Sequence, residues 1–432
     1  MMKQKRVLVI AYYFPPMGMG GVQRVAKFVK YLPLYGWKPR MLTVKRVEYL
    51  AEDTSLLKDV PPQVEITRTS SLDPLRAWFL VKNIFRRETD NHKLVKSYGA
   101  GISRFLSWLF FPDNKVGWIP FALTKALYLC RREKFDLIFS TSPPPSLHLT
   151  AYLLKLLTGI PWVADFRDPW VGYTFQTFPT SLHAFLKNRM ERLIINRADR
   201  VITANPAITE EFKTRHPHAE NIHLVSQGYD EADFETYQPD LSGIFTIGYL
   251  GRLSPDCDPQ PFFAALRQLM DEEKIPADKL RFLHVGLAVG IDLDRLVEKY
   301  KLKEVVELKG YLPHRESLTV MSEASLLLLI TSADPLVFPA KAFEYLRLKK
   351  PVLGVVPPES EVARFLAETK LGRVVSPEDN RGIAEALQLY FSNHYMDRMA
   401  PQVDDERIKK FERKSLSLEL ASIFDKVVGT PC

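Results

Sequence analysis

The sequence has little cysteine. Cys130, Cys257 and Cys432 are the three in 432 residues, and no two have the spacing of a metal-ligand pair or a redox motif. A disulfide-stapled scaffold is excluded, cysteine nucleophile chemistry has no support, and a reducing compartment fits. No stretch approaches the ~18 uninterrupted apolar residues that a membrane-spanning helix needs. The opening MMKQKRVLVIAYYF has a basic head and an apolar run, but Pro15, Pro16 and a glycine-rich turn follow without a small-x-small cleavage site. It reads as a first buried strand rather than a signal peptide. No G-x-G-x-x-G runs through Gly18, Gly20 and Gly21, and no G-K-[ST] follows, so dinucleotide and P-loop readings lose ground. No His, Asp and Glu cluster has metal-ligand spacing. There is no 20–50-residue repeat of a solenoid. Acids are the minority charge, 51 against 59 Lys and Arg, for a net +8 that suits an anionic partner.

An apolar fraction of 46% with 25% charged residues is a globular mix and excludes wholesale disorder. At roughly 150 residues per domain, the length suggests about two or three domains. Val7–Tyr13 is a short apolar run closed by a Pro/Gly turn, the pattern of a parallel strand buried on both faces. Gly20-Gly21 follows. Then Val22, Val25, Phe28, Val29 and Leu32 recur at helical spacing, and a second strand is predicted near Arg40–Val44. Strand, glycine loop, helix, strand is the opening of a doubly wound α/β domain.

Further strands are predicted at Phe135–Ser140, Trp162–Phe166, Arg200–Ala204 and His223–Val225, with a charged helix near Leu186–Arg197. Ser146, after three prolines, is placed to cap the next helix. Tyr229–Ser242 is polar and acidic, a linker. The alternation restarts at Phe245–Tyr249 and continues near Arg281–Val285, Val305–Lys309, Ser325–Ile330, Val352–Val356 and Arg373–Val375. Two α/β halves result. Residues 1–238 form an N-terminal Rossmann-like domain and 239–395 a C-terminal one. Residues 396–432 form a helical segment packing back on the N-terminal domain.

An insertion at about 70–118 interrupts the rhythm. Trp78, Phe79, Phe105 and Trp108 stand among Arg86, Arg87 and other cations. Aromatics beside basic residues fit a surface resting on an anionic membrane; an ordinary core with a basic rim is the plainer reading.

Chemistry has few places to sit. Gly20-Gly21, between a strand and a helix, would let a phosphate approach backbone N–H groups at the helix's positive end. Asp165, Arg167 and Asp168 end a strand of an open α/β sheet, where ligands bind. Asp-Pro after a strand is also an ordinary turn. His148 reads as a core or surface histidine.

Together these blocks resemble a known family. Tyr13-Phe14-Pro15-Pro16 with Gly20-Gly21-Val22-Gln23-Arg24 is similar to the opening of family-four glycosyltransferases of the GT-B fold. Asp165-Phe166-Arg167-Asp168-Pro169-Trp170 resembles a block of a bacterial surface-polysaccharide branch. Gly248-Tyr249-Leu250-Gly251-Arg252-Leu253 looks like the start of the second domain. Lys341-Ala342-Phe343-Glu344-Tyr345-Leu346 with Lys350-Pro351-Val352-Leu353 resembles the donor-binding helix and the strand after it. The blocks run in family order along nearly the whole chain.

The resemblance implies two Rossmann-like domains facing a central cleft. It implies a retaining, hexosyltransferase-type enzyme that moves a sugar from a nucleotide diphosphosugar to a saccharide, lipid-linked or polysaccharide-precursor acceptor. Glu344 would clamp ribose hydroxyls and Arg252 would meet the diphosphate, where a guanidinium fork fits phosphate oxygens. Gly20, Gly21 and Gln23 would border the donor. Asp165, Arg167 and Asp168 would form the catalytic group, holding hydroxyls or positioning an acceptor. The membrane or acceptor surface would be Trp78, Phe79, Arg86, Arg87, Phe105 and Trp108. No cofactor, no metal and no nucleic acid is implied. The setting is cytoplasmic, peripheral on the inner membrane face of a bacterium.

Two departures stand out. A second basic residue usually follows the arginine, but here the stretch reads Ser254-Pro255-Asp256-Cys257-Asp258; Lys341, one helical turn before Glu344, would replace the missing charge. The glutamate usually found eight positions before Glu344 is Leu336, with Asp334 off register. A non-catalytic GT-B scaffold and a GT-B nucleotide-sugar epimerase stay open as alternatives.

Overall fold

The computed structural model describes residues 4–18, 20–47, 51–72, 110–173, 178–234, 243–396, 401 and 403–429. The chain divides into two units, Met1–Ser226 with Arg413–Cys432, and Gln227–Glu412. Each is built on its own sheet, and among the described residues every pairing between these strands is parallel.

In the first unit seven strands run β1 (Lys5–Ile10), β2 (Trp37–Val44), β3 (Ile66–Thr69), β4 (Leu137–Ser142), β5 (Trp162–Phe166), β6 (Arg200–Thr203) and β7 (Ile222–Leu224). Their spatial order is β3-β2-β1-β4-β5-β6-β7, so the order reverses between β1 and β4. Strands β4 and β5 are buried along their length, and β1 from Val7 onward, because helices cover both faces. Strand β3 was not visible in the sequence. It is the four-residue edge segment Ile-Thr-Arg-Thr, half exposed and carrying no apolar run.

Helix α1 (Gly20–Tyr31) follows β1. Helices α2 (Ile119–Arg132), α3 (Ser146–Thr158) and α4 (Ser181–Arg197) lie side by side with α3 in the middle, and α5 (Pro206–Arg215) follows β6. Right-handed crossovers place α2, α3 and α4 on the sheet face opposite α1. Ser146 does not cap α3 as expected. It is the first helical residue, and its N–H and hydroxyl both donate to Asp113, at 2.6 and 2.9 Å. A carboxylate from another segment therefore takes the helix's positive end.

The second unit has a six-stranded sheet, order β10-β9-β8-β11-β12-β13, reversing between β8 and β11. Its strands are β8 (Phe245–Leu250), β9 (Leu280–Val285), β10 (Val306–Gly310), β11 (Leu326–Ile330), β12 (Val352–Val355) and β13 (Gly372–Val375). Helices α6 (Gln260–Asp271), α7 (Leu293–Lys299), α8 (His314–Ser322), α9 (Lys341–Leu348), α10 (Glu361–Thr369), α11 (Asn380–His394) and α12 (Asp405–Lys409) complete it.

The boundaries differ from those read in the sequence. The first unit ends at Ser226, not at 238. Tyr229 is buried in the second unit, and its N–H donates to Phe411 O at 3.1 Å. At the other end Ile408 also lies in the second unit's core, so the return to the first unit begins at Arg413, not at 396. Polarity misled here: a polar stretch pinned by backbone pairing resembles a linker until its partners are known. Helix α13 (Arg413–Val427) buries Leu416, Leu420 and Phe424 in the first unit's core, where the Phe424 ring meets Trp37 edge-on at 5.2 Å.

Candidate functional site

Ligands of open parallel sheets collect beyond the carboxyl ends of the strands, at the reversal of strand order. Both units place the expected residues there, and they use them differently.

In the first unit, Gly20 and Gly21 open α1. A Cβ on Gly21 would lie 2.5 Å from Arg167 Nη1, and that nitrogen donates to Gly21 O at 2.7 Å. The missing side chain thus makes room for Arg167, which couples the end of β5 to the first turn of α1. Gln23 is half buried on the same turn.

Asp165 needs correction as a catalytic residue. It is fully buried, and both its oxygens are taken. Arg24 grips it with two prongs, Nη2 to Oδ1 at 2.8 Å and Nε to Oδ2 at 3.0 Å, while Thr141 Oγ1 donates to Oδ2 at 2.7 Å. Arg24 also donates to the carbonyls of Val225 and Ser226, at 2.8 and 2.7 Å. One buried ion pair therefore ties α1 to β4, β5 and the segment after β7. "Catalytic" requires contact with substrate, and Asp165 has no surface to offer. Arg24 was quoted in the sequence without a role, because its partner is 141 residues away.

Arg167 and Asp168 do reach the surface. Asp168 Oδ2 lies 3.4 Å from both Arg167 Nε and Nη2, and Tyr173 OH donates to Oδ1 at 3.1 Å. The turn that carries them is fixed from behind by the buried Glu191. Its Oε2 accepts the Trp170 N–H at 2.6 Å and the Val171 N–H at 3.3 Å, and Oε1 pairs with Arg215. Neither Glu191 nor Arg215 was singled out in the sequence; a lone acid in a basic helix was the available signal. His148 is a core residue, bonded through Nδ1 to Ser140 Oγ at 2.8 Å and stacked on Trp170. Burial pushes its imidazole down to about 3, so it stays neutral. Trp78, Phe79, Arg86, Arg87, Phe105 and Trp108 lie outside the described residues.

In the second unit, β8 ends at Leu250, and Gly251 and Arg252 follow. Gly286 crosses so close that a Cβ there would be 2.0 Å from Gly251 O, at a φ of +148°; only glycine fits. Arg252 is half exposed, and its Nη2 donates to Asp256 Oδ2 at 3.1 Å. Asp258 is turned elsewhere: it accepts the backbone and side-chain N–H of Gln260 at the start of α6. Of the two acids in that stretch, Asp256 is the one on Arg252.

Lys341 begins α9. Its Nζ stands 3.8 Å from the Tyr249 ring centroid and 3.6 Å from the place a Cβ on Gly251 would take. Burial brings its ammonium down to about 8; Cys257 and Glu344 oppose the shift, and Arg252 adds to it. Arg252 and Glu344 are therefore both within electrostatic reach of Lys341. Glu344 is 6% exposed, with His314 Nε2 at 3.6 Å from Oε1 and 3.4 Å from Asp233 Oδ2. Leu336, at the position of the absent glutamate, is buried, and its N–H donates to Asp334 Oδ1 at 2.9 Å in a tight turn. Two cations, a helix N-terminus and a sunken carboxylate meet at one strand-order reversal. That arrangement can hold a diphosphate and a pair of vicinal hydroxyls.

Residues 82–233 match Glycosyltransferase Family 4. The matched stretch is about a third of the chain, and the fold is GT-B. The chain is also similar to WcaL of Escherichia coli K12, named as a colanic acid biosynthesis glycosyltransferase. They are 31% identical over 166 residues, 37% of this chain and 39% of that relative, so well under half of the relative's length is matched. Among solved structures, sucrose-phosphate synthase from Thermosynechococcus elongatus superposes with a TM-score of 0.68 at 17% identity, covering 98% of this chain and 99% of that one. Anabaena HepE, solved in complex with UDP and glucose, does so at 0.59 and 16%, covering 98% and 96%. At such identities the structures speak for the fold.

Proposed function

We propose that this GT-B chain is a retaining glycosyltransferase that moves a sugar from a nucleotide diphosphosugar to a saccharide or lipid-linked acceptor of polysaccharide assembly. The observation that carries the reading is the convergence of Arg252, Lys341 and Glu344 at the β8/β11 reversal. The family match and the UDP-bound HepE structure support it.

In this reading the two cations and the α9 N-terminus neutralise the leaving diphosphate, the work a metal does elsewhere, so no metal is assigned. Glu344 holds the ribose hydroxyls. The departing diphosphate serves as base for attack on its own face of the sugar, so no protein nucleophile is required. Asp168, backed by Arg167 and Tyr173, offers a carboxylate oxygen for acceptor hydroxyls. A second reading, a scaffold that binds without transfer, draws on the Asp256 carboxylate already seated on Arg252.

The test is a thermal-shift panel of UDP-, GDP-, ADP- and dTDP-sugars on wild type and Glu344→Ala. At ~100 times its dissociation constant, a ligand stabilises by about 2.7 kcal/mol. A shift with one nucleotide, lost in the variant, supports the donor site and names its base. No shift with any of them removes the reading. Turnover of the stabilising donor then separates transfer from scaffolding.

A further inference from the structure

The backbone that carries Arg252 is gripped at Leu250, Gly251 and Arg252 by three buried side chains of the second unit. The Tyr345 hydroxyl accepts the Leu250 N–H at 2.9 Å and donates to Leu328 O at 3.3 Å, so it spans the β8/β11 reversal. His284 Nε2 lies 2.9 Å from Gly251 O. A carbonyl only accepts, so the ring proton sits on that nitrogen. The Tyr249 hydroxyl donates to Arg252 O at 2.9 Å. Tyr249 and Tyr345 have no exposed surface, and His284 almost none.

Tyr249 makes a second contact that the other two do not. Lys341 Nζ stands over its ring at 3.8 Å, and among the described residues that ammonium makes no hydrogen bond and no ion pair. One buried side chain therefore touches both cationic residues of the reversal, Arg252 at its backbone and Lys341 at its charge. The two cations oppose each other, since Arg252 disfavours the charged form of Lys341. Like charges draw apart unless something holds them. A ring face attracts an ammonium, and a hydroxyl fixes the turn from which the guanidinium springs.

We propose that Tyr249 is the positioning residue of the diphosphate site, setting Arg252 with its hydroxyl and Lys341 with its ring, so that both cations stand ready for one diphosphate. The inference rests on the reading of those two residues as diphosphate ligands and adds what fixes their separation. Holding them in place beforehand removes an ordering cost from binding. A tyrosine that only fills the core would act on stability, and not on how the site tells a diphosphate from a nucleoside.

The test is calorimetric titration of UDP, GDP, ADP and dTDP, each beside its nucleoside, into the full chain and two variants. Tyr249→Phe keeps the ring and removes the hydroxyl. Tyr249→Met removes both and refills the space with a flexible apolar chain. For the nucleotide that wild type binds, Tyr249→Phe should weaken the diphosphate about three- to tenfold, the worth of one hydrogen bond. Tyr249→Met should weaken it about tenfold further, because the ammonium loses its ring. Nucleoside affinity should stay within about twofold of wild type, as for a site not coupled to the change. The loss in Tyr249→Phe should vanish when Arg252→Ala is added, and the further loss in Tyr249→Met when Lys341→Ala is added. Undiminished diphosphate binding by Tyr249→Phe would overturn the proposal. So would equal weakening of diphosphate and nucleoside, or losses that persist in the Arg252→Ala and Lys341→Ala backgrounds. If Tyr249→Met does not fold, Tyr249→Phe with and without Arg252→Ala decides. No diphosphate binding by wild type would remove the donor reading itself, and this inference with it.

Discussion

The two units follow one plan, a parallel sheet whose strand order reverses at its centre, and they equip that reversal in opposite ways. In the first unit the charges are spent internally. Arg24 and Asp165 are buried against each other, as are Lys27 and Asp59 at 2.7 Å. In the second, Arg252 is half exposed and bound only loosely by Asp256, while Lys341 rests on an aromatic ring. Burial of both partners makes a charge structural; a cation with a weak or neutral neighbour is left to receive an anion. The difference separates the unit that a ligand's charge should stabilise from the unit that is already neutralised.

The comparison can be broken most sharply at Asp165. Asp165→Ala leaves Arg24 buried and unpaired, which should cost about 3–5 kcal/mol. Chemical denaturation should show the loss, with donor affinity of the surviving folded protein unchanged; a full-stability variant with weakened donor binding would reverse the assignment. Arg252→Ala should do the opposite. Losing a charge-assisted bond worth about 1.5–3 kcal/mol predicts donor binding roughly 10- to 100-fold weaker at unchanged stability, read by calorimetric titration.

Acid and alkali should also tell the units apart. His148 is neutral in the fold down to about pH 3 and protonates near 6.5 when unfolded. Between those values the unfolded chain binds more protons, so stability falls as pH drops from 6.5 toward 3. Lys341 loses its proton near pH 8 in the fold and near 10.5 unfolded. Its burial penalty is full below 8 and fades as pH rises to 10.5, so the fold gains stability there while donor affinity declines. Paired titrations of unfolding and of donor binding across pH 7–10 should move in opposite directions. Lys341→Ala should abolish both trends. The smallest effect is expected at Asp256. An exposed pair is worth about 0.2–1 kcal/mol, so Asp256→Ala should free Arg252 and tighten donor binding up to roughly fivefold.

The strands were legible because parallel strands buried on both faces are unbroken apolar runs, and Trp162–Phe166 falls where the pattern put it. Edge strand β3 was not, since Ile-Thr-Arg-Thr has no such run. Arg252 and Glu344 could be named because Gly251-Arg252 and Lys341–Leu346 stand in blocks that resemble the family's, and Lys341 because it lies one helical turn before Glu344. Arg24, Glu191 and Arg215 were missed because buried ion pairs join residues distant in sequence, and a charge's solvent exposure is not written in its neighbours. Asp165 was misassigned for the same reason: its position beside Arg167 and Asp168 said "strand end", and only its packing says "interior".

One titration tests the second unit's diphosphate site most directly: UDP, UMP and uridine, and the matching guanosine, adenosine and thymidine series, into wild type and Lys341→Ala. If the second unit holds a diphosphate, wild type should bind one nucleoside diphosphate at least tenfold more tightly than its monophosphate, and Lys341→Ala should erase most of that preference. Equal affinity for nucleoside, monophosphate and diphosphate, or a preference unchanged by Lys341→Ala, would contradict it.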